Sequence, residues 1–200
     1  MPRFDDDDDH EKKSSAPEAA FMGVQKALYN ARTVLLFGEI DEASVRLVAA
    51  QLLAFGAESA QPIKLFINSP GGHVESGDSL HDLLRFVGAP VKVIGTGWVA
   101  SAAALIFLGA KPENRYCLPN TRFMLHQPLG GARGKASDLE IEAREIIKMR
   151  ERINRIIARE TGQTFERIVK DTDRNYWLGP EEAKEYGIVT HIVARADEVK

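Results

Sequence analysis

The chain has 200 residues, 44% of them hydrophobic and 28% charged, which suits one compact globular domain and excludes wholesale disorder. Its 26 basic and 29 acidic residues leave a net charge of −3, and the segment from Met1 to Ala20 alone carries −4. The rest of the chain, from Phe21 onward, carries +1, so it offers no electrostatic footprint for nucleic acid or an acidic membrane. Cys117 is the only cysteine, which rules out an intrachain disulfide and a cysteine-based zinc cluster. The opening segment lacks the apolar stretch of a secretory leader. The longest nearly unbroken apolar run, from Trp98 to Ala110, is too short to span a bilayer. A cytoplasmic protein is expected.

In chain order, residues 1–20 read as an acidic mobile arm, because five consecutive aspartates from Asp5 to Asp9 repel one another. Residues 21–200 then form the folded domain. Strand-like runs are expected at Thr33–Phe37, Lys64–Asn68, Val91–Gly95, Arg122–His126 and Ile188–Val193. Between them fall helical stretches at Glu42–Phe55, Ser76–Phe86, Ala100–Leu108, Ser137–Glu160 and Pro180–Tyr186. This alternation predicts an α/β fold with parallel strands. Pro180 opens its helix and Gly187 closes it, the usual asymmetry. Ser137 and Glu140 have capping-box spacing, and Gly162 closes the long helix they start. On that helix Ile146, Met149, Ile153, Ile156 and Ile157 share one face, while Glu140–Arg144 and Glu151–Arg155 form i,i+4 pairs elsewhere. Preceded by Gly130-Gly131-Ala132-Arg133-Gly134, it reads as an arm whose apolar stripe packs on its own domain or on another subunit.

Three segments concentrate unusual chemistry. Ile67-Asn68-Ser69-Pro70-Gly71-Gly72 follows an apolar strand, and its glycines let a backbone N–H approach a ligand closely. Gly95 to Ala104 ends a strand in glycines and starts a small-residue helix near Ser101, where free N–H groups favour developing negative charge. Phe123 to Gly131 ends an apolar strand in His126, a position open to a general base. Taken singly, each also fits a plain turn, a helix-capping serine or a structural histidine. The spacing around Ser101 is not G-x-S-x-G, which disfavours an α/β-hydrolase. His73 abuts the glycine turn, His81 sits in a helix, and no histidine pair has metal-ligand spacing, so no metal and no cofactor are expected.

Together, in order and spacing, these segments resemble the ClpP peptidase family from about Leu28 to Val193. The match also includes Ala136-Ser137-Asp138-x-Glu140-Ile141, Asp171-Thr172-Asp173-Arg174 and Glu181-Glu182-Ala183-x-Glu185-Tyr186-Gly187. The resemblance implies a crotonase/ClpP-like ββα superhelix with a projecting strand-helix handle at 130–160. It also implies a serine endopeptidase with Ser101 as nucleophile, His126 as general base, and backbone N–H groups of Gly72 and Ala102 as the oxyanion hole. The family usually carries methionine where Ala102 stands, which a backbone donor tolerates. Its triad aspartate falls on Asn175, which can accept a hydrogen bond but brings no charge; Asp171 and Asp173 lie nearby as substitutes outside the family register.

The resemblance further implies stacked heptameric rings, homomeric or mixed with a second ClpP, fed unfolded protein by an AAA+ ATPase unfoldase. Leu52, Phe55 and Phe86 are expected to contribute to unfoldase pockets, and the acidic arm to lie at the axial pore. The alternatives are a weakly active or non-catalytic ClpP paralogue and a crotonase-like enzyme acting on acyl-CoA thioesters.

Overall fold

The structure, a computed structural model, describes residues 16–131 and 133–200. The chain divides into a unit ending at Ala31 and a body spanning Arg32–Lys200. The first unit contributes helix α1 (Ala16–Asn30), and the boundary expected at residue 20 falls inside that helix. The aspartate run lies outside the described residues.

The body is a seven-stranded sheet that is parallel except at one edge pair. Strands β1 (Thr33–Phe37), β2 (Ile63–Ser69) and β3 (Val91–Ala100) are joined by helices α2 (Glu42–Glu58) and α3 (Val74–Phe86). Two short strands then pair with successive stretches of β3. Strand β4 (Arg115–Cys117) takes Val93 to Gly95, and β5 (Arg122–Leu125) takes Trp98 to Ala100. Between β3 and β4 lies the six-residue helix α4 (Ala102–Phe107), every residue of which is buried. The long helix α5 (Ala136–Thr161) and α6 (Phe165–Asp171) follow. The chain closes through β6 (Tyr176–Leu178), α7 (Pro180–Tyr186) and β7 (His191–Ile192). Among the described residues no helix is long and apolar enough to cross a membrane.

In β1 and β2 burial largely alternates with period two: one face packs on the helices, while the other is packed only toward β3 and β4, where Ile94, Tyr116 and Val193 form a second small cluster. Val34, Leu36, Ile63, Leu65 and Ile67 are buried together with Val48, Leu52 and Phe55 of α2, Leu80 of α3 and Ala103–Leu108 around α4. On the opposite face Leu35 and Phe37 stay about half exposed. A parallel sheet is normally covered on both faces, so among the described residues β1 leaves apolar surface uncovered. Leu52 and Phe55 are fully buried, which removes them as surface pocket residues; only Phe86 of that trio is exposed.

Helix ends follow local chemistry, with one correction. Gly162 and Gly187 take the left-handed conformation just past α5 and α7. Asp41 caps α2 in a reciprocal box with Ser44. The expected box of Ser137 and Glu140 does not form: α5 begins one residue earlier, with Lys135 at the cap position and no side-chain cap bond.

The two halves of α5 are held differently. Its buried residues are Ile153, Asn154 and Ile157, all in the C-terminal half. There Glu160, almost buried, receives Arg85 at 2.6 Å, Arg159 at 2.7 Å and Arg115 at 2.9 Å. Arg115 is fully buried and donates further to the carbonyls of Leu108 and Ala110 at 2.9 Å and of Glu160 at 2.8 Å. Burial pushes the Glu160 carboxyl up, but the three arginines outweigh it and hold the group below its usual range. A carboxylate in the last turn opposes the helix dipole, so those arginines are what makes the position tolerable. The N-terminal half carries only exposed pairs such as Glu140–Arg144.

Candidate active site

Sheet register brings the three sequence-predicted side chains together. In the parallel β3–β5 pair the last partners are Ala100 and Met124, and the Ser101 N–H donates to the Met124 carbonyl at 2.8 Å. In the antiparallel β5–β6 pair the last partners are Leu125 and Tyr176, so His126 and Asn175 stand opposite each other one step further on. The His126 ring bridges the other two: Nε2 lies 2.7 Å from Ser101 Oγ, and Nδ1 lies 3.1 Å from Asn175 Oδ1. One proton arrangement satisfies both contacts. Nδ1–H donates to the Asn175 carbonyl oxygen, and Nε2 accepts from the Ser101 hydroxyl.

Ser101 is held in an unusual backbone conformation, φ 57° and ψ −123°, at the turn from β3 into α4. A non-glycine residue there is strained, and the surrounding contacts must impose it. Its side chain makes no capping bond to α4, which leaves the hydroxyl to His126. The turn fits because Gly71 has no Cβ; one built there would lie 2.6 Å from Ser101 Cβ. Gly72, at φ +150°, sits closer still to Ile40, whose carbonyl oxygen would meet its Cβ at 2.2 Å.

The strand-like bridge between these segments runs from the Ile40 N–H to the Gly71 carbonyl and from the His73 N–H to the Ile40 carbonyl. Gly72 itself neither donates nor accepts in that bridge. Ala102 opens α4, so its N–H lies outside the i→i−4 ladder. Both N–H groups of the expected oxyanion pair are thus unspent by local structure. Gly77 of α3 explains why a small side chain at 102 packs well, since a Cβ there would lie 3.1 Å from that of Ala102.

A small apolar cleft borders Ser101 and His126. Val74, Ala102, Leu105 and Leu125 line it from the body, and Ile153 and Ile157 close it from α5. Sequence reading placed both isoleucines on the apolar stripe of α5 but missed the cleft. Val74 and Leu125 had a readable signal, each lying beside a motif residue on an apolar periodic face.

The two nearby aspartates are engaged elsewhere. Asp171 accepts from Tyr186 Oη at 2.9 Å and pairs with Arg167. Asp173 pairs with Arg150 at 3.4 Å, and its carbonyl accepts from Gln127 Nε2 at 2.9 Å. His73 contacts Ser76 and Glu75 of its own helix. His81 is buried, with Nδ1 donating to the Leu105 carbonyl at 2.8 Å and Nε2 lacking a hydrogen-bond partner among the described residues. Burial pushes the Cys117 thiol up to about 12, so it stays an inert thiol at neutral pH. Among the described residues no group of three His, Cys, Asp or Glu side chains could hold a metal.

Comparison with known proteins agrees over most of the chain. The sequence model of the Clp protease family matches residues 16–196. The ATP-dependent Clp protease proteolytic subunit 2 of Gluconobacter oxydans is 59% identical over 175 residues, covering 86% of this chain and 78% of that protein. Proteolytic subunit 3 of Rhizobium meliloti is 58% identical over 172 residues, covering 86% and 88%. Among solved structures, ClpP1 of Listeria monocytogenes superposes with a TM-score of 0.80 at 52% identity, covering 88% of this chain and 99% of that one. An asparagine-to-aspartate variant of the same ClpP1 reaches 0.83 at 53% identity, with the same coverage. With its sheet, its helix-capped cleft and these relatives in agreement, the chain belongs to the Clp protease family.

Proposed function

We propose that Ser101, His126 and Asn175 carry the peptide hydrolysis of this Clp protease subunit, a serine-type endopeptidase acting on unfolded polypeptide. The observation that carries the assignment is the single imidazole bridging Ser101 Oγ and Asn175 Oδ1. Ser101 Oγ attacks the scissile carbonyl while Nε2 of His126 takes its proton. The oxyanion formed is met by the N–H groups of Gly72 and Ala102. As the intermediate collapses, His126 passes the proton to the departing amine and an acyl-Ser101 ester remains. Water, deprotonated by the same imidazole, then releases the second peptide.

Asn175 orients the ring but supplies no negative charge to the imidazolium. In trypsin the corresponding aspartate-to-asparagine change lowers kcat about 10⁴-fold. Asn175 is also exposed, so an amide flip, which would favour the wrong tautomer, meets little steric resistance. That observation favours a second reading, a weakly active paralogue that works with an active partner subunit. The two readings separate in one experiment: cleavage of a short fluorogenic peptide and fluorophosphonate labelling by the isolated protein. Ser101→Ala abolishes both signals; persistence of cleavage in that variant removes the assignment. Asn175→Asp raises kcat at least tenfold; a fall shows that Asn175 does not limit the triad.

Assembly follows from the same reading. The half-covered sheet face and the exposed Leu139, Ile141 and Ile147 of α5 suit contacts between copies in stacked heptameric rings, homomeric or mixed. An AAA+ unfoldase supplies substrate in the cytoplasm, and the −4 arm of residues 1–20 lines the axial pore. Deleting residues 1–15 then alters the rate and salt dependence of peptide entry; an unchanged rate at every salt concentration returns the arm to a solvated tail.

A further inference from the structure

Strand β3 is not paired uniformly with β2. As far as Ile67 and Gly95 the two strands advance together, but the next partners are Ser69 and Val99. One residue of β2, Asn68, thus faces three of β3, Thr96, Gly97 and Trp98, so β3 carries a bulge of two extra residues. Gly97 turns the chain there at φ +59°. The bulge is also where β3 changes partner, from β4 at Gly95 to β5 at Trp98.

Two side chains hold the bulge at its ends. At its entry the buried Thr121 hydroxyl donates to the Gly95 carbonyl at 2.9 Å, beside the Leu118 N–H at 3.0 Å. At its exit Asn68 Oδ1 accepts from the Trp98 N–H at 3.3 Å. The same oxygen would lie 2.7 Å from a Cβ at Gly97, so the amide packs closely on the turn. Stability alone does not require either bond. Without the Thr121 hydroxyl the Gly95 carbonyl keeps Leu118, and the Asn68–Trp98 bond is exposed, so water can replace the amide. Water would not fix the shape of the turn.

That shape decides which residues meet at the site. Two residues advance a strand by about 6.6 Å. Counted on from Ser69 and Val99, Gly71 falls level with Ser101 and Gly72 with Ala102. The packing agrees: a Cβ at Gly71 would lie 2.6 Å from Ser101 Cβ and 3.1 Å from the Ala102 nitrogen. In the register that β2 and β3 keep up to Gly95, Gly72 would stand level with Ala100 instead, away from the first N–H of α4.

We infer that Asn68 and Thr121 are positioning residues that hold the β3 bulge and through it align the Gly72 and Ala102 N–H groups on one oxyanion. The inference rests on the reading of Ser101 as nucleophile and of those two N–H groups as its oxyanion hole.

The test separates transition-state from ground-state effects. Asn68→Ala and Thr121→Val each lower kcat for a short fluorogenic peptide about tenfold or more, with KM changed less than about twofold, because oxyanion donors act in the transition state. Affinity for a peptide aldehyde, whose adduct with Ser101 places an oxygen between the two N–H groups, falls by the same factor as kcat. Thr121→Ser keeps the hydroxyl and stays within about twofold of the parent. Val48→Ala, which empties a core site in α2, lowers the urea midpoint more than either variant yet keeps kcat. Parent-like kcat in both variants, KM rising in step with the loss, retained aldehyde affinity, an equally impaired Thr121→Ser or an equal loss in Val48→Ala overturns the proposal. Cleavage persisting in Ser101→Ala defeats the catalytic reading itself. Parent-like kcat in Asn68→Ala and Thr121→Val beside an inactive Ser101→Ala defeats the positioning role alone. A parent that neither cleaves the peptide nor binds the aldehyde overturns both. Asn68→Ala alters a half-buried side chain, so the proposal stays testable if Thr121→Val fails to fold; if neither variant folds, the two bonds are structural and the proposal falls.

Discussion

The two halves of α5 share one helix and one amphipathic pattern, yet they belong to different structural regimes. From Met149 onward the helix is part of the body, with Ile153 and Ile157 in the core and Glu160 held by three arginines. Before it, Leu139, Ile141 and Ile147 are exposed, and the charged residues pair along their own helix. The difference teaches that burial follows the stripe: Ile153 and Ile157 lie on it and are packed, whereas Ile141 and Ile147 lie off it and stay exposed.

That contrast can be broken from the anchored side first. Glu160→Ala leaves the fully buried Arg115 without its carboxylate, a loss of about 3–5 kcal/mol that lowers the urea midpoint sharply. Ile157→Ala empties a fully packed site and costs about 2–4 kcal/mol, whereas the same change at exposed Ile147 shifts the midpoint by less than about 0.5 kcal/mol. Equal midpoints for the two alanine variants would erase the distinction between the halves. Glu140→Ala, which removes only a surface i,i+4 pair, costs about 0.3–0.5 kcal/mol at low salt and nothing measurable at high salt.

Acid sharpens the same comparison. Burial holds His81 below its ordinary value of 6.5, so it remains neutral in the fold while the unfolded chain takes up a proton. Its stabilising contribution is present above pH 6.5 and is lost as pH falls. Glu160, held below 4.5 in the fold, contributes above that value and loses its contribution as pH falls through it. The urea midpoint therefore declines in two stages, and His81→Gln removes the first. A midpoint that does not change between pH 7.5 and pH 5.5 would show that His81 carries no such penalty.

What could be read beforehand divides along physical lines. Strand β1, helix α7 and the glycine ends of α5 and α7 followed from periodicity and local turn chemistry. The positions proposed for the triad were legible because each sits at the end of an apolar strand or beside a family segment. Short elements were not. Strands β4 and β6 have three residues each, too few for a period, and exist because longer strands offer them an edge. Helix α1 was hidden by the charge of the residues before it.

Ser101 was expected inside a helix beginning at residue 100, whereas β3 runs on through Ala100 and the chain turns at the serine. The Arg115–Glu160 cluster and the Asp78–Arg152 pair depend on residues 45 and 74 positions apart, a separation no local pattern reports. Arg115 did carry a signal, a charged residue entering an apolar strand.

The positive φ of Ser101 has a consequence for how this protein trades durability against work. Glycine is at ease in that conformation and serine is not, so Ser101→Gly relaxes a strained turn while deleting the proposed nucleophile. The variant should outlast its parent on heating and cleave nothing. Selection on thermal endurance alone would thus drive position 101 away from serine. Its presence marks a place where the fold accepts lower stability in exchange for chemistry.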